Sequence, residues 1–325
     1  MIIRSRCHNL SDLMSEGQGK SNMDRYHDAV EQEKSLLDRL ETLSPGAKVM
    51  REKTLESLRK VRELLPALQK VKDEPSVGET AYKAARALYR QARYKRGRVN
   101  MQNKYVRKGL LVEEMSIEAL SILTGQYYQK NERLIENEYL LGTPDIFLLD
   151  HIDTPIEDAL RIEDVKNTWD LDSFLEKTVM EKYETRYWWQ LQGYMHLLPN
   201  VKEARIDYLL VNAPFDSVIR EIKNTSYLWE GEENIPVEQK WAISCNLLYT
   251  EDAIASFWEH YDISFATSNL FQDYLKEKFV EIPAQERVFL MPVIQADEAA
   301  HRAIEERVRW ANRYVKKTFS WPLEG

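Results

Sequence analysis

One six-residue segment restricts the fold more than any other. Residues 161–166 read RIEDVK, with Ile162 and Val165 set among Arg161, Glu163, Asp164 and Lys166. Buried charge is costly unless it is paired or bound to a metal ion, so a strand of this composition needs a site built around it. Side chains alternate along a strand, which puts Ile162, Asp164 and Lys166 on one face and Arg161, Glu163 and Val165 on the other. Asp164 and Lys166 therefore act together, and Glu163 points away. Upstream, GTPDIFLL (142–149) places Asp145 at the start of an apolar run, after a Gly-Thr-Pro turn that lets backbone approach a ligand. If the two strands pair antiparallel through the intervening LDHIDTPIEDAL, Asp145 and Asp164 converge. Two convergent carboxylates make a hard oxygen site suited to Mg²⁺ or Mn²⁺, with Lys166 beside a water or a phosphate oxygen. A surface ion pair of Asp164 with Lys166 is an equal reading of the spacing alone.

The surrounding pattern is α/β. Leu36, Leu40 and Leu43 share one helical face, Ser44-Pro45-Gly46 supplies a turn, and Leu58, Val61, Leu65 and Leu68 resume the spacing, which predicts a helical hairpin. GLLVEEMSIEALSILTG reads as a helix ending at Gly125. RLIENEYLL, TPDIFLL and LRIEDVK read as three successive strands, TRYWWQLQGYMHLL as a helix, and ARIDYLLVN as a further strand. Ala300, Ile304, Val308, Ala311 and Val315 mark a final amphipathic helix. The expected organisation is one domain over 1–325, with a helical, basic insertion at 22–108, a core at 109–214 and an extension at 215–325 packing on that core.

The chain is 43% apolar, with no apolar run near the roughly 18 residues of a membrane span. Charges interrupt the N-terminal MIIRSRCHNLSDLM, so a cytoplasmic location is expected. Cys7 and Cys245 have no second thiol at metal spacing, which excludes an intrachain iron–sulfur cluster. The formal charge of -8 argues against nucleic-acid binding over the whole surface. Yet residues 47–108 hold 18 Lys or Arg against 6 Asp or Glu, and from Tyr82 to Lys108 there are ten basic residues and no acidic one. Lys83, Arg86, Arg90 and Arg93 fall on one helical face with Tyr82 and Tyr89 beside them, and Lys104 and Lys108 follow. Cations interleaved with aromatics suit phosphate contact and base stacking; a solvated helix face is the plainer alternative.

GTPD, EDVK and YWWQLQGY, in this order, resemble the PD-(D/E)xK nuclease superfamily, and most closely its YqaJ-like viral recombinase or lambda exonuclease-type branch. The opening IIRSRCHNLSDLM, KGLLVEE, VNAP after the last core strand and IPAQERV before the final helix extend the likeness over most of the chain. The resemblance implies a restriction-endonuclease-like core, a central mixed sheet flanked by helices, with the order helix, three strands, helix, strand. It implies Asp145 and Asp164 as metal ligands, the Val165 carbonyl as a third, and Lys166 orienting or activating the attacking water. Glu113, at the G-x-x-x-E spacing from Gly109, would reach the metal directly or through water, with Glu114 its neighbour in doubt by one residue. Gln190 and Tyr194 would line the site as a Q-x-x-x-Y pair. The implied activity is Mg²⁺-dependent hydrolysis of DNA, as an exonuclease on double-stranded ends in phage recombination. A single-strand annealing protein and self-association are the implied partnerships. A structure-selective or restriction-type endonuclease, or a non-catalytic DNA-binding protein, are the alternatives. His151 and His196 read as structural, and so do Trp188 and Trp189 except that one of the pair approaches DNA on the alternative reading. Asn167 and Thr168 are balanced between phosphate contact and loop.

Overall fold

The computed structural model describes residues 3–17, 21–73, 76–97 and 103–319. It divides into two units. One takes in Asn9–Gly97, the first five residues and the chain from Ala303 onward; the other takes in Arg6–His8 and Arg98–Arg302.

The first unit is helical. Helices Asn22–Thr42 and Lys48–Val71 form the expected hairpin around Ser44-Pro45-Gly46. Ser21 caps the first through a reciprocal bond with Asp24, which satisfies backbone donors the helix leaves open. Helix Glu79–Tyr94 buries Ala81, Ala85 and Leu88. Two of its tyrosines pack against rings of the same chain. Tyr82 packs edge-on against Trp310 and Tyr314, at 5.1 and 5.0 Å between centroids, and Tyr89 stacks on Phe319 at 4.4 Å. These three partners lie on the long terminal helix Glu298–Phe319, where Ala300, Ile304, Val308, Ala311 and Val315 are all buried as their spacing predicts. Arg307 is sealed among them, its guanidinium donating to the Ser15 and Ser76 carbonyls.

The second unit is built on a six-stranded mixed sheet. Its main path runs Tyr128–Lys130, Ile146–Leu148, Arg161–Asn167, Glu203–Leu209, Val288–Leu290, and Ile294–Gln295 pairs with the other end of Glu203–Leu209. Ile146–Leu148 and Arg161–Asn167 are antiparallel, with Ile146 opposite Glu163. Arg161–Asn167 then pairs parallel with Glu203–Leu209 along six positions, and helix Thr185–Leu197 makes the crossover that a parallel pair requires. Helix Lys104–Thr124 covers one face: Val112 and Leu120 pack with Tyr128, Ile146, Leu148, Val165 and Leu209. Asn103 caps this helix, and Gly125, at φ 65°, ends it in the left-handed conformation that glycine adopts without penalty. A separate apolar cluster around Trp241, Phe257, Trp258 and Phe265 joins the helices between Phe215 and Lys278.

The predicted strand RLIENEYLL is not one strand. Asn137 accepts bonds from the Tyr139 and Leu140 amides and folds the segment into a small hairpin, Ile135–Glu136 with Leu140–Gly142. Its expected place in the main sheet is taken by Tyr128–Lys130, a three-residue strand too short to leave a pattern.

Candidate active site

The antiparallel register does the first part of the work. Because Ile146 faces Glu163, continuing the ladder by one residue sets Asp145 opposite Asp164, and opposed residues project to the same face. Asn131 secures the turn that starts this strand: its amide donates to the Pro144 carbonyl at 2.9 Å, and its backbone N–H to the Asp145 carbonyl at 2.9 Å. Asp145 Oδ2 accepts the Val165 N–H at 3.0 Å, which ties the two strands through the site itself.

Asp164 is 1% exposed. Its Oδ1 accepts Gln190 Nε2 at 2.9 Å, and the Lys166 ammonium lies against its Oδ2. That Oδ2 is sealed from solvent with no hydrogen bond of normal geometry. Lys166 Nζ also stands 3.9 Å from Asp145 Oδ2. Gln190 Nε2 meets Tyr194 Oη at 2.9 Å, and that hydroxyl reaches the Thr143 carbonyl at 3.3 Å. Asp145, Asp164, Lys166, Gln190 and Tyr194 are thus one constellation. Gly142 makes room for it: a β-carbon there would stand 2.8 Å from Cys7 Sγ and 2.9 Å from the Tyr194 ring.

Glu113 approaches from the helix on the opposite face, over the end of the sheet. It is half-buried, pairs with Lys130 at 3.5 Å, and adds its charge to those acting on Asp145. Glu114 is 85% exposed beside the same lysine.

Glu163 turns away, as alternation predicts. Its Oε1 accepts Arg161 at 2.7 Å and Arg205 at 3.0 Å, while Arg205 also pairs with Asp207 at 2.6 Å. Burial, then the Glu163 carboxylate, push Asp207 well above the usual carboxylate range.

The basic set is divided. Lys83, Arg90 and Arg93 are exposed on Glu79–Tyr94, but Arg86 is engaged by Glu79 at 2.9 Å and by the Tyr314 hydroxyl. Lys104 pairs with Glu221 at 2.8 Å and lies 4.6 Å from the Trp169 ring centroid. Lys108 corrects the expectation outright. It is 1% exposed, and its Nζ donates to the Thr168 and Trp169 carbonyls at 2.9 and 2.8 Å, so it cannot meet a phosphate. The helix turns there so that Lys108, Val112 and Ser116 face inward together. Asn167 accepts the Ser116 hydroxyl and Thr168 donates to the Leu209 carbonyl, which ties both to the fold. His151 sits in an exposed turn near Asp153. His196 faces Asn137, and Trp188 and Trp189, both half-buried, contact each other edge-on. Sequence reasoning missed Asn131, Lys130 and Tyr187, the last with its ring centroid 5.7 Å from Lys166 Nζ. The polar Asn131 directly after YYQK is the available signal.

Among the described residues no three His, Cys, Asp or Glu side chains stand close enough to cage a metal ion. The donor set nevertheless fits a hard divalent cation. Two adjacent carboxylates provide the oxygen chemistry that Mg²⁺ and Mn²⁺ prefer. The charge balance agrees. Burial first, then the Asp164 charge, hold Asp145 up to about 8, against the pull of Lys166 and the Val165 N–H. On Lys166, burial acts downward but Asp164 and Asp145 outweigh it, keeping the ammonium above its ordinary value. An unfolded Asp titrates near 3.9. Between about pH 4 and 8 the native state therefore binds a proton that the unfolded chain has released, and stability without metal falls as pH rises through that window. A cation held by Asp145 would have to displace the same proton. With Asp145 as a ligand, Mg²⁺ affinity by calorimetry should climb about tenfold per pH unit up to about pH 8 and level off above it. An affinity flat from pH 6 to 9 would count against Asp145 as a ligand.

No protein-family model matches the chain, and no curated protein does. Solved structures do. An alkaline exonuclease, LHK-Exo from Laribacter hongkongensis, matches at 12% identity and a TM-score of 0.42, over 74% of this chain and 86% of the other, and LHK-Exo is also known in complex with dAMP. A phage-related exonuclease from Haemophilus somnus 129PT matches at 20% identity and a TM-score of 0.54, over 98% of this chain and 96% of that one. Helices on both sides of a central mixed sheet, preceded by N-terminal helices, are therefore the fold this chain shares with that exonuclease over nearly its whole length.

Proposed function

We propose that the chain is a Mg²⁺-dependent deoxyribonuclease acting as an exonuclease on double-stranded DNA ends. The observation that carries this reading is the meeting of Asp145, Asp164 and Lys166, with Gln190 fixing Asp164. Phosphodiester hydrolysis needs a positioned water, an ordered phosphate and relief of the negative charge that builds up in the transition state. Asp145 and Asp164 would hold the metal, with the Val165 carbonyl and Glu113 completing its surroundings. A divalent ion bound there supplies Lewis-acid charge neutralisation and lowers the acidity barrier of a water. Asp164 and Asp145 hold the Lys166 ammonium above its ordinary value against burial, and Lys166 would orient or activate the attacking water and donate to a phosphate oxygen. Gln190 locks the Asp164 rotamer, and Tyr194 braces Gln190 from the Thr143 side. Tyr194 does not ionise in this role, because burial and then the Asp164 charge raise its hydroxyl well above the ordinary value.

In this reading the basic helical segment 22–108 guides DNA through Lys83, Arg86, Arg90 and Arg93, with Lys104 adding to it from the core segment's helix. The core at 109–214 cuts, and the remainder to 325 extends it. Phage recombination, a single-strand annealing partner and self-association belong to the same proposal. Among the described residues no helix is long and apolar enough to cross a membrane. The test is end-labelled linear duplex and closed circular DNA incubated with Mg²⁺ or EDTA. Stepwise loss of nucleotides from the linear form alone, abolished by EDTA, is the expected result. Nicking or linearisation of the circle would make it an endonuclease, and no cleavage with any divalent metal would end the enzyme reading.

A further inference from the structure

The helix that holds Gln190 against Asp164 has a third residue on the same face. Arg186, Gln190 and Tyr194 are spaced by four and form one row along Thr185–Leu197. Gln190 and Tyr194 are buried, whereas the Arg186 side chain, at the outer end of the row, is 59% exposed. Arg186 is also the second residue of its helix. Free backbone N–H groups give that end partial positive charge, so a cation there works against the helix.

Local contacts show how the side chain is held. Arg186 Nε pairs with Glu184 Oε2 at 2.9 Å, its guanidinium carbon lies 4.3 Å from the Tyr187 ring centroid, and its Nη2 donates to the Tyr187 hydroxyl at 2.7 Å. Glu184 is bound a second time, by Lys177 at 2.8 Å, so it stays neutralised if Arg186 turns elsewhere. The same Tyr187 ring has the Lys166 ammonium 5.7 Å from its centroid. One aromatic ring therefore gathers two cations, one anchored in the carboxylate pair and one open to solvent. Like charges brought together repel, and an anion lying across them removes that repulsion. The adjoining helix end favours the same charge.

We infer that Arg186, carried on Tyr187, is a clamp for a backbone phosphate of the nucleic-acid strand, neighbouring the phosphate presented to Lys166; this rests on the nuclease reading of the site. Arginine suits the task because its planar fork takes two phosphate oxygens at once, and its stacking on Tyr187 limits the freedom lost on binding. The role is positional and electrostatic, so it shows in affinity and salt dependence.

The experiment uses the full chain, a fluorescently labelled duplex, and Ca²⁺ in place of Mg²⁺, so that binding is read without turnover. Wild type, Arg186→Ala and Arg186→Lys are compared across a salt series, alongside thermal unfolding and Mg²⁺ cleavage. Arg186→Ala should bind about tenfold more weakly and flatten the slope of log affinity against log salt by about 1, the loss of one phosphate contact. Arg186→Lys should recover the slope and only part of the affinity. The unfolding temperature of Arg186→Ala should stay level or rise, because a cation has left the positive end of a helix. A role confined to holding the helix start predicts the reverse, a lower unfolding temperature with unchanged salt slope, and that result overturns the clamp. Cleavage by wild type with affinity and slope unmoved by Arg186→Ala refutes the clamp alone. DNA binding that depends on Arg186 without any cleavage refutes the nuclease reading and keeps the clamp. Wild type with no affinity for DNA refutes both.

Discussion

Lys166→Met should slow Mg²⁺-dependent DNA cleavage by roughly 10³-fold while leaving Mg²⁺ binding as tight as in wild type or tighter. The substitution removes the one donor that can serve a water and a phosphate oxygen together, and it removes positive charge from beside the two carboxylates that would hold the metal. Those effects separate in kinetics. The rate at saturating Mg²⁺ falls, and the Mg²⁺ concentration for half-maximal rate does not rise. In metal-free buffer, above the pH at which Asp145 loses its proton, the variant should also unfold more easily, since Asp145 and Asp164 then face each other without a counter-charge, and Mg²⁺ should restore more stability to it than to wild type. Wild-type rates in Lys166→Met would remove this lysine from the chemistry.

Lys108→Met should cost about 2–4 kcal/mol of folding stability and leave the salt dependence of DNA binding untouched. Methionine keeps the volume but strands the Thr168 and Trp169 carbonyls, which Lys108 now serves in a fully buried place. Burial draws the Lys108 ammonium down to about 7, with Asp170 pulling the other way, whereas an unfolded lysine titrates near 10.4. From pH 7 to about 10 the native state therefore binds fewer protons than the unfolded chain, and this lysine's contribution to stability rises with pH. A neutral amine still has two N–H groups for its two carbonyls. Denaturant titrations of both proteins at pH 6.5 and 9.5 should thus show the deficit of Lys108→Met growing with pH. A shallower salt slope in the variant would instead return Lys108 to the DNA-contacting set.

The difference between these two lysines shows what sequence can carry. Lys166 was readable because its neighbours impose a period of two: Asp164 shares its face, Glu163 does not, and one antiparallel hairpin brings Asp145 opposite. Gln190 and Tyr194 were readable for the same kind of reason, a spacing of four on a helix. Lys108 sits at the end of a basic run and looks like its neighbours; what buries it is the inward turn of Val112 and Ser116 and the loop at Thr168, sixty residues away. Tyr82 and Tyr89 look like a binding surface in the sequence because the helix they pack against begins more than two hundred residues later. The three-residue strand Tyr128–Lys130 is held by its pairing with Ile146–Leu148 rather than by its own composition, and local pattern has nothing to register there.

The reverse side of Arg161–Asn167 carries an ionic cluster of its own. Arg161 and Arg205 are set there against the carboxyls of Glu163, Glu203 and Asp207, so charges of both signs answer one another behind the strand. That cluster lies under a sheet whose other side gathers Asp145 and Asp164. A strand one residue thick is thus clamped from both faces, and the spacing of the front carboxylates is tied to the pairing at the back. Substitutions at Arg205, which touches no residue of the front constellation, would reach it through the shared strand.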